Sequence, residues 1–316
     1  MKAVVIERYG GNEVVEVRDM PRPNPGRHEI LLKVHAASVN PVDWKIRSGQ
    51  LKIVAGLAFP HILGSECAGE VVETGVDVQR FSRGDQVVAF PGIKTLGAYA
   101  EYVCVNEKHA WFKPEGIGYE SAATIPIAGL TALQSLRDLG HVGRGDRVLV
   151  NGAAGGVGTF AVQIARLLGA SVTAVCSAAN AGLVKDLGAV RVIDYHRENF
   201  TAGGNLYEVV FDAVAKRSFG ACKKILSRRG VYIATLPQPG TLLNQYLTGF
   251  LTRKKARTIV VHPNSADMNW MRGQIEAGRM HVVIDRAYPL EHARDAFAHS
   301  ETGKARGKIV LNMADK

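Results

Sequence analysis

The sequence predicts an α/β protein in two parts: a partly open barrel of mostly antiparallel strands, and a doubly wound parallel sheet flanked by helices. Three observations carry this. Residues 1–122 read as short strands punctuated by turn residues. Beyond them strand and helix patterns alternate. Within that alternation the apolar run Arg147–Asn151 leads into the glycine-dense turn Gly152-Ala153-Ala154-Gly155-Gly156-Val157-Gly158, and a helical pattern follows over Thr159–Leu168.

The expected strands of the first part are Lys2–Arg8, Glu13–Asp19, Glu29–Ser38, Gly69–Thr74, Asp85–Ala89 and Ala98–Val105. Pro21, Pro23, Pro25, Gly26, Gly75 and Arg83-Gly84-Asp85 separate them. Helical periodicity appears at Glu120–Ile125 and Ala128–Asp138, and a second domain is expected over 123–262. Its further strands are Ser171–Cys176, Val190–Asp194, Val209–Asp212 and Gly230–Ala234, with helices at Ala181–Leu187 and Ser218–Ile225. Residues 263–316 return to the first texture. Helices are expected near Ala266–Ala277 and over Leu290–His299, and strands near Val282–Ala287 and over Lys308–Leu311. A chain of 316 residues is long enough for two such domains.

Strand, tight turn and helix opening together make a phosphate-binding unit. A helix N-terminus exposes unpaired N–H groups and the positive end of its dipole, and glycines let a ligand approach the backbone. Read from Ala153, the turn is A-x-G-x-x-G, a dinucleotide fingerprint with Ala in the first slot and Gly155 and Gly158 in the others. The next strand, Ser171–Cys176, falls where βαβ wiring requires it. NAD-preferring loops carry Asp or Glu near the end of that strand, to bind the ribose 2′-hydroxyl. Here Ser177 stands there, followed by Ala178, Ala179 and Asn180. No carboxylate repels a 2′-phosphate at that place, and Ser177 and Asn180 can donate to one. Tyr195 can add its hydroxyl or pack near the adenine, and Lys185 and Arg197 can add charge. NADPH is therefore the expected cofactor, with dual use of NADH left open.

Composition narrows the rest. Hydrophobic content of 47% with 22% charged residues suits a folded aqueous domain. No apolar run reaches the ~18 residues that cross a bilayer, and Met1-Lys2-Ala3-Val4-Val5-Ile6 reads as a first strand, so the cytoplasm is the expected location. The net charge is +10, densest at Arg253, Lys254, Lys255 and Arg257 after the apolar stretch Leu242–Leu251. We read that cluster as a solvated loop in preference to a binding patch, and with 7% aromatics no nucleic-acid partner is expected. Cys67, Cys104, Cys176 and Cys222 are far apart and form no metal or redox motif.

Several segments, in order, resemble the medium-chain dehydrogenase/reductase superfamily, in its zinc-free quinone oxidoreductase and enone reductase branch. They are Ser38-Val39-Asn40-Pro41-Val42-Asp43-Trp44-Lys45, Leu63-Gly64-Ser65-Glu66-Cys67-Ala68-Gly69, Arg83-Gly84-Asp85, Ala123-Thr124-Ile125-Pro126, Gly129-Leu130-Thr131-Ala132, the phosphate loop, Asp194-Tyr195, and Ala305-Arg306-Gly307-Lys308-Ile309-Val310. The resemblance covers essentially the whole chain. It implies a GroES-like catalytic domain, a Rossmann nucleotide domain and a homodimer. Zinc-dependent alcohol dehydrogenases of the superfamily carry Cys where Asn40 stands and His where Ser65 stands. Asn and Ser are poor zinc ligands, so no metal is expected.

Without a metal, reduction of a quinone, enal or enone needs hydrogen-bond donors for the charge that builds on the carbonyl oxygen. Asn40 and Lys45 are the expected donors, Lys45 also as a proton source if burial lowers its pKa. Asp43 is expected to orient neighbouring backbone. By position in the family, Thr131 should lie near the ribose or nicotinamide, Gly156 and Val157 on the pyrophosphate and Leu236 by the nicotinamide ribose. Arg306 is expected near phosphate, Lys308 either there or as a strand residue facing water, and the loop from Pro91 to Gly97 is a candidate lid. Two other functions stay open: an NAD(P)-dependent alcohol dehydrogenase, and a non-catalytic NADPH- or RNA-binding protein.

Overall fold

The computed structural model describes residues 1–56, 58–236, 243–248 and 252–313. They divide into one unit of Met1–Ile127 with Pro263–Lys316 and another of Ala128–His262. The first boundary thus falls after Ile127 instead of at residue 122. A long-range bond lies at this boundary: the Ile127 backbone N–H donates to the buried carboxylate of Glu66, within the first unit.

In the first unit, β1 (Lys2–Ile6), β2 (Glu16–Asp19) and β4 (His61–Ile62) form a small sheet in the order β2-β1-β4. The larger sheet runs β15 (Ile284–Pro289), β16 (Lys308–Asn312), β3 (Glu29–Val39), β5 (Cys67–Thr74), β6 (Gln86–Ala89) and β8 (Ala110–Phe112), and β7 (Tyr102–Asn106) also pairs with β3. Only β15 and β16 are parallel. Strand β3 is buried on both faces over most of its length, with Lys33 exposed, and its register slips at Leu31/Leu32 and Val34/Ala36 let it bend. Gly69 in β5 faces it: a Cβ there would lie 2.2 Å from the carbonyl oxygen of Lys33, so only glycine allows the approach. Ile6, Ile30, Leu32, Val71, Val87 and Phe297 share the core.

Several expected strands are shorter than their apolar patterns, β1 ending at Ile6 and β6 starting at Gln86. Asn12–Val14 is a 3₁₀ turn ahead of β2. Ala98 and Tyr99 bond Gly64 and Leu63 outside β7. In the loop before them, Leu96 is buried in the core while Lys94 and Thr95 are exposed.

The second unit is a six-stranded parallel sheet: β9 (Arg147–Asn151), β10 (Ser171–Cys176), β11 (Arg191–Asp194), β12 (Tyr207–Asp212), β13 (Leu226–Ala234) and β14 (Lys255–Thr258), ordered β11-β10-β9-β12-β13-β14. The order reverses between β9 and β12, and ligands of such sheets bind beyond the strand carboxyl ends at that point. The helix expected to Asp138 is α-helical over Ile125–Leu133 and widens into a π-turn over Gln134–Leu139. There the Gln134 side chain donates to the His262 carbonyl and accepts from its N–H, pinning the end of the unit to its beginning. The basic cluster is only half a loop: Arg253 and Lys254 lie in the bend before β14, whereas Lys255 and Arg257 lie on that edge strand, where charge discourages further strand pairing. The apolar stretch Leu242–Leu251 lies in part outside the described residues, with 243–248 helical.

Candidate active site

In the second unit, the turn after β9 folds back on β10: the N–H groups of Gly152 and Ala153 both donate to the carbonyl of Val175. The helix Gly156–Leu167 opens at Gly155 with no side-chain cap. Its first N–H groups have no intrahelical acceptor, which fits an anionic phosphate. Gly155, Gly156 and Val157 are half-exposed there, as a pyrophosphate site requires. Ala153 is fully buried, and a Cβ on Gly158 would lie 2.1 Å from the Gly152 carbonyl oxygen. Both were expected to contact the cofactor. Their burial makes them packing residues of the turn instead.

The ends of β10 and β11 lie side by side, with Cys176 opposite Asp194 and the Tyr195 N–H donating to the Cys176 carbonyl. This brings Ser177 and Tyr195 together, and the Asn180 amide donates to the Ser177 hydroxyl at 3.3 Å. Tyr195 is 53% exposed, free to meet a ligand. A carboxylate does stand on this edge, but Asp194 is engaged: it accepts from the His196 N–H and pairs with Arg197. Leu236 follows β13 on the same carboxyl edge, and Thr131 is nearly buried in the helix Ile125–Leu133. Below the edge, Asp212 at the end of β12 is fully buried and accepts from the Asn151 amide, the Arg217 N–H and the Tyr232 hydroxyl.

In the first unit, a buried polar cluster surrounds the start of the helix Pro41–Arg47. Asp43 accepts from the Asn40 N–H, the Ser65 hydroxyl and the Tyr99 hydroxyl, each at 2.7 Å. Burial pushes its pKa up to about 6 against the pull of those three donors, and the nearby Glu66 charge adds to the rise. Asp43 thus orients backbone, as expected. The neighbouring Glu66 accepts from the Asn40 amide at 2.8 Å, from the Ile127 N–H at 2.6 Å and from the Lys308 ammonium at 3.0 Å. Lys308 also donates to Asn40 Oδ1 at 2.5 Å.

Two expectations fail here. Asn40 is no free donor: one amide hydrogen goes to Glu66 and the other to the Ser38 carbonyl, with the residue 4% exposed. Lys308 touches no phosphate, since β16 runs beside β3 and turns it into the barrel at 3% exposure. Arg306 stays exposed in the loop before β16. Lys45 behaves differently from both. It is half-buried, its ammonium lies 5.2 Å from the Trp44 ring centre, and it has no carboxylate partner among the described residues. Burial alone pulls its pKa below the ordinary lysine value. Sequence reasoning missed Tyr99 and the burial of Lys308. The only signal for the latter is a lysine opening an otherwise apolar final strand.

Comparison with known proteins agrees with this fold. Residues 26–115 match the alcohol dehydrogenase GroES-like domain, and residues 187–311 match the family described as zinc-binding dehydrogenase. The chain is 36% identical to the chloroplast envelope quinone oxidoreductase homolog of Arabidopsis thaliana, covering 98% of both chains. It is 35% identical to that plant's chloroplastic NADPH-dependent alkenal/one oxidoreductase, over 98% of this chain and 79% of the relative. Among solved structures, the quinone oxidoreductase of Coxiella burnetii superposes with a TM-score of 0.91 at 32% identity, covering 99% of each chain.

Proposed function

Because the chain belongs to the medium-chain dehydrogenase/reductase superfamily, and is an oxidoreductase of its quinone and alkenal reductase group, we propose that it reduces quinones and α,β-unsaturated carbonyl compounds with NADPH and without zinc. The observation that carries this reading is Lys45: an ammonium half removed from water, its acidity raised by burial, with no acidic partner among the described residues.

When bound, the reduced nicotinamide supplies a hydride to the electron-poor carbon of the acceptor. Negative charge then builds on the carbonyl oxygen, and Lys45 meets it with an N–H donor and hands over the proton. The opening N–H groups at Gly156 and Val157 hold the pyrophosphate. Ser177, Asn180 and Tyr195 receive the 2′-phosphate, which is the reason for preferring NADPH to NADH. Thr131 and Leu236 take the nicotinamide half. The working form in this reading is a homodimer, which a solution mass of twice the chain would support.

The test is NADPH and NADH consumption with a quinone, an enal and an enone, each with and without a chelator. Consumption of NADPH in preference to NADH, unaffected by the chelator, is expected. Failure with every acceptor, or loss with chelator and recovery with Zn²⁺, refutes the reading.

A further inference from the structure

The family described as zinc-binding dehydrogenase takes in residues 187–311, and so Lys308. Yet the side chains at the place where zinc-dependent members hold a metal do not suit one. Asn40 and Ser65 are weak ligands beside thiolate and imidazole. The Ser65 hydroxyl is already given to Asp43. Asn40 Oδ1 and Glu66 Oε1 both face the Lys308 ammonium, at 2.5 and 3.0 Å. A dication would have to displace that ammonium from the very oxygens it needs. Among the described residues, no three His, Cys, Asp or Glu side chains are grouped to hold a metal.

We propose that Lys308 is the resident cation of this site, a positioning residue that takes the electrostatic place of a metal. Glu66 is fully buried and Asp43 lies within reach of its charge, so balance has to come from inside the barrel, and the final strand supplies it. The ammonium also decides how the Asn40 amide faces, oxygen toward Lys308 and nitrogen toward Glu66. Asn40 is the residue whose N–H Asp43 takes at the root of the helix Pro41–Arg47. A charge on β16 thereby sets the helix that carries Lys45. This last step rests on the reading of Lys45 as the donor to substrate; the charge-balancing role does not.

The test is the Lys308→Ala protein with added n-propylammonium, which matches the deleted atoms, and tetramethylammonium as the ionic control. Its melting temperature is expected below wild type, raised by propylammonium and not by the control. Its kcat on an enone is expected to fall at least about tenfold, while the Kd for NADPH stays within about twofold, and propylammonium should restore kcat without changing KM. If this variant does not fold, Lys308→Met with Glu66→Gln removes both charges together. That pair is expected to fold and bind NADPH, to remain about tenfold or more down in kcat, and to ignore the amine. Equal response to both salts overturns the proposal. So does wild-type kcat in either variant, or one zinc per chain taken up by the wild type in equilibrium dialysis. A wild type inactive on every acceptor would refute the reductase reading instead, and the melting-temperature response would still decide the role of the cation.

Discussion

The phenol of Tyr99 donates to Asp43 Oδ2 across 2.7 Å, and both side chains are shut away from solvent. Burial raises the Tyr99 pKa well above its usual value, and the Asp43 charge adds to the rise. The contact joins two segments far apart in the chain and ties the root of the helix Pro41–Arg47 into the barrel core.

Acidification should stabilise the fold through Asp43. In the folded chain this carboxyl takes up its proton near pH 6, against 3.8 for a free aspartate. Between those values the folded state binds more protons than the unfolded one, so stability from this group rises as pH falls. The gain from pH 7 to pH 5 is about 1 kcal/mol. At lower pH the carboxylates of Glu208 and Glu276, held below their usual range chiefly by Arg147 and Arg272, work in the opposite direction. Urea denaturation across pH 5–7.5 reads the slope, and Asp43→Asn should flatten it. A wild type that steadily loses stability from pH 7 to pH 5 would contradict this.

Replacing Lys45 with Met keeps the stem and removes the ammonium. We expect kcat/KM on an enone to drop by about 10²-fold, the usual scale for losing one oxyanion donor. Binding of NADPH, followed by fluorescence, should hold at its wild-type level. Unchanged turnover would remove Lys45 from the chemistry.

The two glycines of the phosphate turn should respond differently to the same methyl group. In Gly158→Ala the Cβ meets the Gly152 carbonyl oxygen at 2.1 Å and Ala153 backbone at 2.8 Å, so the turn must shift and the melting temperature should fall. In Gly155→Ala the nearest atom is 3.4 Å away and the backbone φ of −81° is an ordinary one. That variant should melt like wild type yet bind NADPH more weakly, because the methyl stands where the ligand approaches. Calorimetry with titration separates the two effects.

Ser177→Asp tests the 2′-phosphate reading. A carboxylate at the end of β10 repels the phosphate and suits a free ribose hydroxyl. The ratio of kcat/KM for NADPH to that for NADH should fall by about 10²-fold, equivalent to about 3 kcal/mol. A ratio that does not move would place the adenosine phosphate elsewhere.

The nucleotide domain is the legible part of this chain. Strands β9 and β10 match their predicted bounds because an apolar run, a glycine turn and a helical period are local signals. Ser177 and Tyr195 are also predictable, since parallel wiring fixes which strand ends adjoin. The barrel is harder. Lys308 reads as a solvent-facing strand residue because its burial depends on β16 pairing with β3, across most of the chain. Asn40 looks like a free donor before Pro41, and only the arrival of Glu66 and Lys308 shows that its amide is engaged at both ends. The boundary at Ile127 escapes notice for the same reason, since the stretch before it meets the barrel through long-range contacts such as the bond to Glu66.

Strand β16 enters the barrel only after residues 128–262 have been made. During synthesis the whole of 128–262 is therefore translated before the strand that pairs with β3 and brings Lys308 to Glu66. On the reading proposed above, a nascent chain should bind dinucleotide before it can reduce an acceptor. Chaperone dependence and sensitivity to premature stops should concentrate in that interval.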